Sequence, residues 1–319
     1  MLQVFRVAGI PVRIDASWVL VFALISWSLA VGYFPRMLPE ATTGIVWLHG
    51  VVAALLLFVS VFLHELSHAL VALEHGVPVS GIRLHVFGGV SELEAEPPTP
   101  RAELLIAAVG PLTSFMIAAL CYGVGRSLGG PPWVSALTGY LAVVNLLIGL
   151  FNLVPGFPLD GGRLLRAMLW WASGRQAWAT IWASRAGVAF GFAMMALGAL
   201  RAIAGDIVGG LWFVFIGMFL YRAARVSRTL IDIRQRLEPL HVADVMSSAV
   251  AAPAADVTSL DDAVAPETSA WQAYLKLDRA DERGLPVIAD GRLVGVVKRR
   301  DLHHALTERP GADVADRAA

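Results

Sequence analysis

Apolar residues in this chain gather into long, nearly unbroken runs, and only after about residue 228 does the pattern change to the mixed spacing of a soluble domain. A bilayer core of about 30 Å takes roughly 20 apolar residues in a helix. Six runs of that size can be placed, over residues 16 to 34, 46 to 73, 102 to 125, 134 to 157, 177 to 203 and 206 to 226. The fourth is the least regular, with Asn145, Asn152, Pro155 and Pro158 inside it or beside its end. Broken helix at membrane depth is tolerated only where protein or a watery cavity satisfies the freed backbone groups, so the end of this span points to a site. Between the second and third spans, residues 76 to 96 alternate apolar and polar around Gly88-Gly89, which predicts a short β-hairpin. The tail carries charge runs, an Asp290-Gly291 turn and a strand-like stretch at 285 to 297, which predict a small α/β domain. The expected fold is a polytopic α-helical membrane protein with about six transmembrane helices, a short β-hairpin and a small cytosolic α/β domain. Residues 1–228 form the membrane-embedded part, and 229–319 form a linker and the soluble domain.

Composition agrees with a lipid bilayer as the surroundings. The chain has 319 residues, 57% of them hydrophobic and 16% charged, with a mean hydropathy of +0.65. Basic and acidic residues number 25 each and are dispersed, so the concentrated positive charge that counterion release from nucleic acid requires is missing and a nucleic-acid partner is excluded. Cys121, the single cysteine, sits in an apolar run and can form no internal disulfide. The first fifteen residues lack a short apolar run followed by a small-residue cleavage site, so no removable signal peptide is expected. Arginines near span ends favour the cytoplasmic side. Arg6, Arg13, Arg83, Arg101, Arg163, Arg166, Arg175, Arg222, Arg225, Arg228, Arg234 and Arg236 lie on one side of the six-span arrangement, against Arg36, Arg126 and Arg201 on the other. Both termini are therefore expected in the cytoplasm, with the plasma membrane as the location. Spans two and four then run inward, and the polar motifs at their C-terminal ends reach the same side at similar depth.

The second span carries His64-Glu65-Leu66-Ser67-His68, an H-E-x-x-H match inside an apolar helix. Positions i and i+4 share a helix face, so both imidazoles can address one ion. Glu65, rotated about 100° from His64, sits beside that ion as a base for a water proton and not as a ligand. A catalytic zinc usually takes three protein ligands. Asp160, in F-P-L-D-G-G at the close of span four, is the preferred third, because an acid at membrane depth costs about 3 kcal/mol and is presumptively functional. Glu92 and Glu94, on the hairpin, remain alternatives. Three ionisable groups in five residues of an apolar span need a compensating partner, which a metal provides, whereas His49, His75 and His85 read as solvated or interfacial.

These residues carry a family resemblance. HELSHAL at 64 to 70, with FNLVPGFPLDGGR at 151 to 163, resembles the paired motifs of the site-2 protease family of intramembrane metalloproteases (the peptidase M50 type), in the branch with a cytosolic CBS module. The resemblance implies that one Zn2+ per chain is bound by His64, His68 and Asp160, that Glu65 activates water, and that Asn152 positions or polarises the scissile peptide. It also implies that GPLTSF at 110 to 115 lines the core, although Ser114 stands where asparagine is common, so no catalytic role is assigned there. The implied substrates are single-span membrane proteins, cut near the cytosolic side in regulated intramembrane proteolysis. As a mechanism, part of the substrate segment is expected to unwind and pair with the edge of the 76 to 96 ribbon as an added strand. Residues 265 to 306, with VADVM at 242 to 246 leading in, resemble one CBS motif. Such motifs work in pairs, so a homodimer through this module, or loss of its adenosyl-nucleotide ligand, is expected. A CBS-regulated ion or metal transporter and a catalytically silent scaffold are the competing readings; the first would spread polar residues through the membrane depth.

Overall fold

The computed structural model describes residues 2–85, 88–127, 130–248, 263–280 and 284–307. Among the described residues, six helical segments are long and apolar enough to cross a membrane: Ala16–Met37, Thr43–Glu74, Pro100–Ser127, Pro132–Asn152, Gln176–Ile203 and Ile207–Val226. In chain order they belong to α1 (Ala16–Ser28), which continues through a π-helical turn at Leu29–Tyr33 into α2 (Phe34–Met37), then α3 (Thr43–Glu74), α4 (Pro100–Ser127), α5 (Pro132–Asn152), α7 (Gln176–Ile203) and α8 (Ile207–Leu237). The side chain of Asp15 starts α1 by accepting from the Ser17 N–H. The chain divides into two compact units at Arg225/Val226.

In the first unit, burial runs opposite to that of a soluble protein. Small residues such as Ala53, Ala54, Ala69, Ala107, Ala179 and Ala183 are fully buried between helices, whereas Leu20, Leu120, Leu147, Phe192, Val208 and Trp212 face outward. With lipid outside there is no hydrophobic gain in hiding a leucine, and close backbone approach through small residues holds the helices together.

A four-stranded sheet in the order β1-β2-β3-β4 packs on α3. Only its last two strands, β3 (Val79–His85) and β4 (Gly88–Leu93), belong to the hairpin expected from the sequence. The first two, β1 (Leu2–Val7) and β2 (Ile10–Ile14), form a hairpin whose two-residue turn, Ala8-Gly9, has positive φ at both positions as a tight primed turn requires. β2 and β3 run parallel, with Val12 opposite Ile82 and Ile14 opposite Leu84. Pairing between segments about seventy residues apart leaves no local trace in the sequence. Arg13, Arg83 and Glu92 meet across β2, β3 and β4 as an ion-pair triad.

The fourth span ends at Asn152, not near residue 157, and Asp160 does not close it. Asp160 is the first residue of a separate amphipathic helix, α6 (Asp160–Ser173). Pro155 and Pro158 cannot continue α5, and two consecutive glycines are poor helix formers, which obscures a helix beginning at Asp160. Those glycines serve a close approach. A methyl at Gly161 would lie 2.4 Å from the Leu153 carbonyl, and one at Gly162 would lie 2.4 Å from the backbone of Gly156 and Phe157. The first turn of α6 can therefore nest directly on the loop that leaves α5. Farther along, Arg166 donates to the fully buried carboxylate of Glu103 on α4 and lies over the Phe157 ring at 5.4 Å, so a desolvated ion pair fixes the helix against α4.

The second unit has its own core, built from Leu237, Val242, Leu277, Leu285, Val297 and Leu302. It contains α9 (Val242–Val245), β5 (Ser247–Ser248), α10 (Ala270–Ala280), β6 (Gly284–Ala289), β7 (Arg292–Lys298) and α11 (Arg299–Thr307), with strand order β5-β7-β6.

Replacing Glu103 with alanine strands the Arg166 guanidinium in a buried site and is expected to cost about 3–5 kcal/mol. Thermal unfolding of the detergent-purified protein should show a clear drop in Tm. Glu103→Leu combined with Arg166→Met should recover part of it, and an unchanged Tm in Glu103→Ala would show that the pair does not hold α6.

Candidate metal centre

On α3, His64 and His68 stand one turn apart and both are buried. The nested start of α6 brings Asp160 against them. His64 Nε2, His68 Nε2 and Asp160 Oδ2 form a triangle, each pair 3.2 Å apart. Among the described residues this is the group of histidine, cysteine and acidic side chains whose ligand atoms come within 4.8 Å of one another.

The far side of each imidazole determines its tautomer. His68 Nδ1 faces the Ile106 carbonyl, which can only accept, so Nδ1 carries the proton and Nε2 presents a lone pair. His64 Nδ1 lies 2.9 Å from Ser114 Oγ, which can accept in the same way. Partners on the distal nitrogen orient metal-binding histidines in this manner. Burial opposes the charge on Asp160, yet the facing imidazoles, which hydrogen-bond to it when protonated, hold its carboxyl below the ordinary carboxylate range. Three lone-pair atoms pressed together away from water need a cation between them. A triangle with 3.2 Å sides has its centre about 1.8 Å from each corner, close to the ~2.0–2.1 Å of Zn–N and Zn–O bonds, and two imidazoles with one carboxylate are ligands that zinc accepts. The set fits zinc.

Gly110 on α4 leaves the space beside the triangle open. A methyl there would lie 2.1 Å from His68 Nε2 and 2.6 Å from His64 Nε2.

A cavity of about 940 Å³ adjoins the triangle, and His64, His68, Asp160, Glu65 and Asn152 all line it. Glu65 is outside the ligand triangle. Ser91 of β4 places its hydroxyl 2.8 Å from the Glu65 carbonyl and 2.9 Å from Oε2, so its proton is shared between the two acceptors and the carboxylate is tethered to the sheet. Asn152 spends one N–H on the Ile148 carbonyl at 3.1 Å. Neither Glu92 nor Glu94 lines the cavity, and Glu92 is engaged by Arg13 and Arg83. His49 and His75 bond to carbonyls of their own helix.

Ser114, in the core-lining stretch and given no role from the sequence, is the partner of His64, and His85, read as solvated or interfacial, lines the cavity. Two residues go beyond the sequence reading: Ser91 is the partner of Glu65, and Arg163 lines the cavity. Arg163 left a trace, being three residues past Asp160 and therefore on the same helix face. Burial weakens the hold of its guanidinium on the proton and shifts it below its ordinary value, while Asp160 and Glu65 oppose the shift; an arginine stays charged throughout the accessible pH range.

Comparison with known proteins gives a consistent result. Residues 52–139 and 131–196 match the model of peptidase family M50, and residues 242–308 match the CBS domain. A Mycobacterium tuberculosis protein named as a zinc metalloprotease, Rip3, is 42% identical over 250 residues, which is 76% of this chain and 62% of that protein. The chain thus spans less than two thirds of the length of that relative. A Synechocystis protein named as a zinc metalloprotease, sll0528, is 32% identical over 96% of this chain and 78% of its own length. The solved site-2 protease from Methanocaldococcus jannaschii is 28% identical and aligns over 71% of this chain and 94% of that one, with a TM-score of 0.45.

Gly110→Ala should push the imidazoles apart and lose the metal, whereas Gly123→Ala on the same helix, where a methyl meets nothing within 4 Å, should keep it. Elemental analysis of the purified proteins checks this: about one zinc per chain is expected in the parent and in Gly123→Ala, with near-complete loss in Gly110→Ala and in His68→Ala.

Proposed function

The chain belongs to peptidase family M50, and from that premise we propose that it is a zinc-dependent intramembrane endopeptidase that cuts transmembrane segments of single-span proteins near the cytosolic face, as in regulated intramembrane proteolysis. One observation carries the reading: two imidazoles and a carboxylate converge beside a cavity, and both imidazoles belong to a helix long and apolar enough to cross a membrane. A metal site on such a helix is placed to act on chains that are themselves in the membrane.

His64, His68 and Asp160 would hold the zinc. Bound there, zinc supplies Lewis-acid chemistry, polarising a peptide carbonyl and acidifying a water molecule. Glu65, free of the ligand set and steadied by Ser91, takes the proton of the attacking water and returns it to the departing nitrogen. Asn152 orients the peptide with the amide hydrogen that Ile148 does not use. The cavity is at the upper end of the size of ligand sites and is walled by Val61, Val144, Leu147, Phe151 and Phe219 among others, which suits an unwound apolar stretch. β4 ends the order of the sheet and borders this cavity through Gly88 to Ser91, so an extended substrate can add to it as a further strand. Concentration of the polar groups at a single cavity disfavours a transport path.

The arginine distribution supports cytoplasmic placement of both termini, and the plasma membrane is the location we propose. A single CBS domain supports assembly as a homodimer, in which two copies complete an adenosyl-nucleotide site.

Glu65→Gln should keep its zinc and its fold but lower cleavage of a co-expressed single-span substrate by at least ~10²-fold. Undiminished cleavage by the purified variant would reject the assignment, and zinc flux in proteoliposomes that survives the substitution would favour a transporter.

A further inference from the structure

Arg163 has no task in the chemistry described so far. Among the described residues it is the one lysine or arginine lining the cavity, and they give its guanidinium no hydrogen bond or ion pair, in contrast to Arg166 one turn further, which is consumed by Glu103. Asp160 and Arg163 are at i and i+3 on α6, and both reach the cavity. The helix that carries them is fixed by the close approach of Gly161 and Gly162 and by the Glu103–Arg166 pair, so the point from which Arg163 reaches into the cavity is fixed. A cation kept without a partner in a largely apolar cavity is costly. Charge accounting shows what would offset that cost. With a divalent ion in place, the carboxylates of Asp160 and Glu65 balance it, and Arg163 is the positive charge left over. The cavity then carries one net positive charge, and hydrolysis, which moves a negative charge from Glu65 to the carbonyl oxygen as the water proton is transferred, puts an anion where that guanidinium can meet it.

Building on the peptidase reading, we infer that Arg163 is a catalytic residue whose guanidinium donates to the carbonyl oxygen of the scissile peptide as that oxygen becomes negative. The oxygen of water forms a bond to the carbonyl carbon while one of its protons passes to Glu65, and the C=O π pair moves onto the carbonyl oxygen, where the N–H groups of Arg163 meet it. When the pair returns, the C–N bond breaks and Glu65 delivers the proton to the nitrogen, so one water and one peptide bond become one acid and one amine. Asn152 is a weaker candidate for this charge, since its amide is neutral and already donates to Ile148. Removing a preorganised donor to a developing oxyanion costs about 10²–10³ in kcat.

The test compares the full-length, zinc-loaded chain with Arg163→Gln and Arg163→Lys. It uses a transmembrane peptide substrate in micelles, a phosphinic peptide that carries a tetrahedral anion, and a hydroxamate of the same sequence that chelates zinc without one. Arg163→Gln should lower kcat by about 10²–10³-fold with KM within about threefold and zinc content unchanged. Its affinity for the phosphinic peptide should fall by a comparable factor while the hydroxamate binds as before, and Arg163→Lys should regain part of both losses. Loss of zinc together with kcat, a rise in KM at constant kcat, or parallel weakening of both inhibitors would each overturn the inference. A parent chain that binds the phosphinic peptide no better than the corresponding amide would remove the peptidase reading itself, whereas tight binding by the parent and equally tight binding by Arg163→Gln would remove Arg163 alone.

Discussion

Mutual repulsion among three lone-pair atoms sets the terms for the rest of the membrane unit. His64 Nε2, His68 Nε2 and Asp160 Oδ2 are 3.2 Å apart in a buried place, an arrangement that no fold would hold without a cation or shared proton at its centre. Supplying the two nitrogens takes only one helix, because i and i+4 coincide on a face. Supplying the oxygen takes a chain that has crossed the membrane twice more and arrives from another direction. Most of the unusual local features lie along that second route: the end of α5 at Asn152, the loop over 153–159, the glycines that let α6 dock, and the buried Glu103–Arg166 pair that braces it.

A buried ion pair is weak evidence for stability, since well-packed apolar residues often do as well. Its value here is positional. Glu103 is on α4, the helix that also contributes Ser114 behind His64, the Ile106 carbonyl behind His68 and the open space at Gly110. A single helix therefore orients both imidazoles and anchors the element that carries the carboxylate. The sheet does the same for the base, because Ser91 of β4 binds Glu65, and a peptide laid along that strand would lie beside the carboxylate that must serve it.

Much of this was legible in the sequence, for identifiable reasons. Six apolar runs report directly on the six helices long enough for a bilayer, and H-E-x-x-H reports on helix geometry because its spacing matches the turn. What stayed hidden depends on contacts between distant segments or on residues whose local preferences mislead. α6 begins with Asp-Gly-Gly after two prolines, a run that looks like a loop until the docking surface for those glycines is seen. The hairpin of β1 and β2 did leave a signal, alternation on either side of Ala8-Gly9, but its parallel pairing with β3 left none. Ser91 is an ordinary serine in sequence, and Ser114, though in a core-lining stretch, gains its role only through its contact with His64.

The parallel alignment of β2 with β3 also constrains how the polypeptide is threaded. Both strands belong to one sheet, so the stretch between them, which holds two of the six candidate spans, must leave and return to the same side of the bilayer. Insertion of only one of those spans would leave Val12 and Ile82 on opposite sides and the sheet split. Biogenesis is thereby coupled to parity: the first hairpin can form as soon as it is made, but its second edge stays unsatisfied until an even number of crossings has been completed.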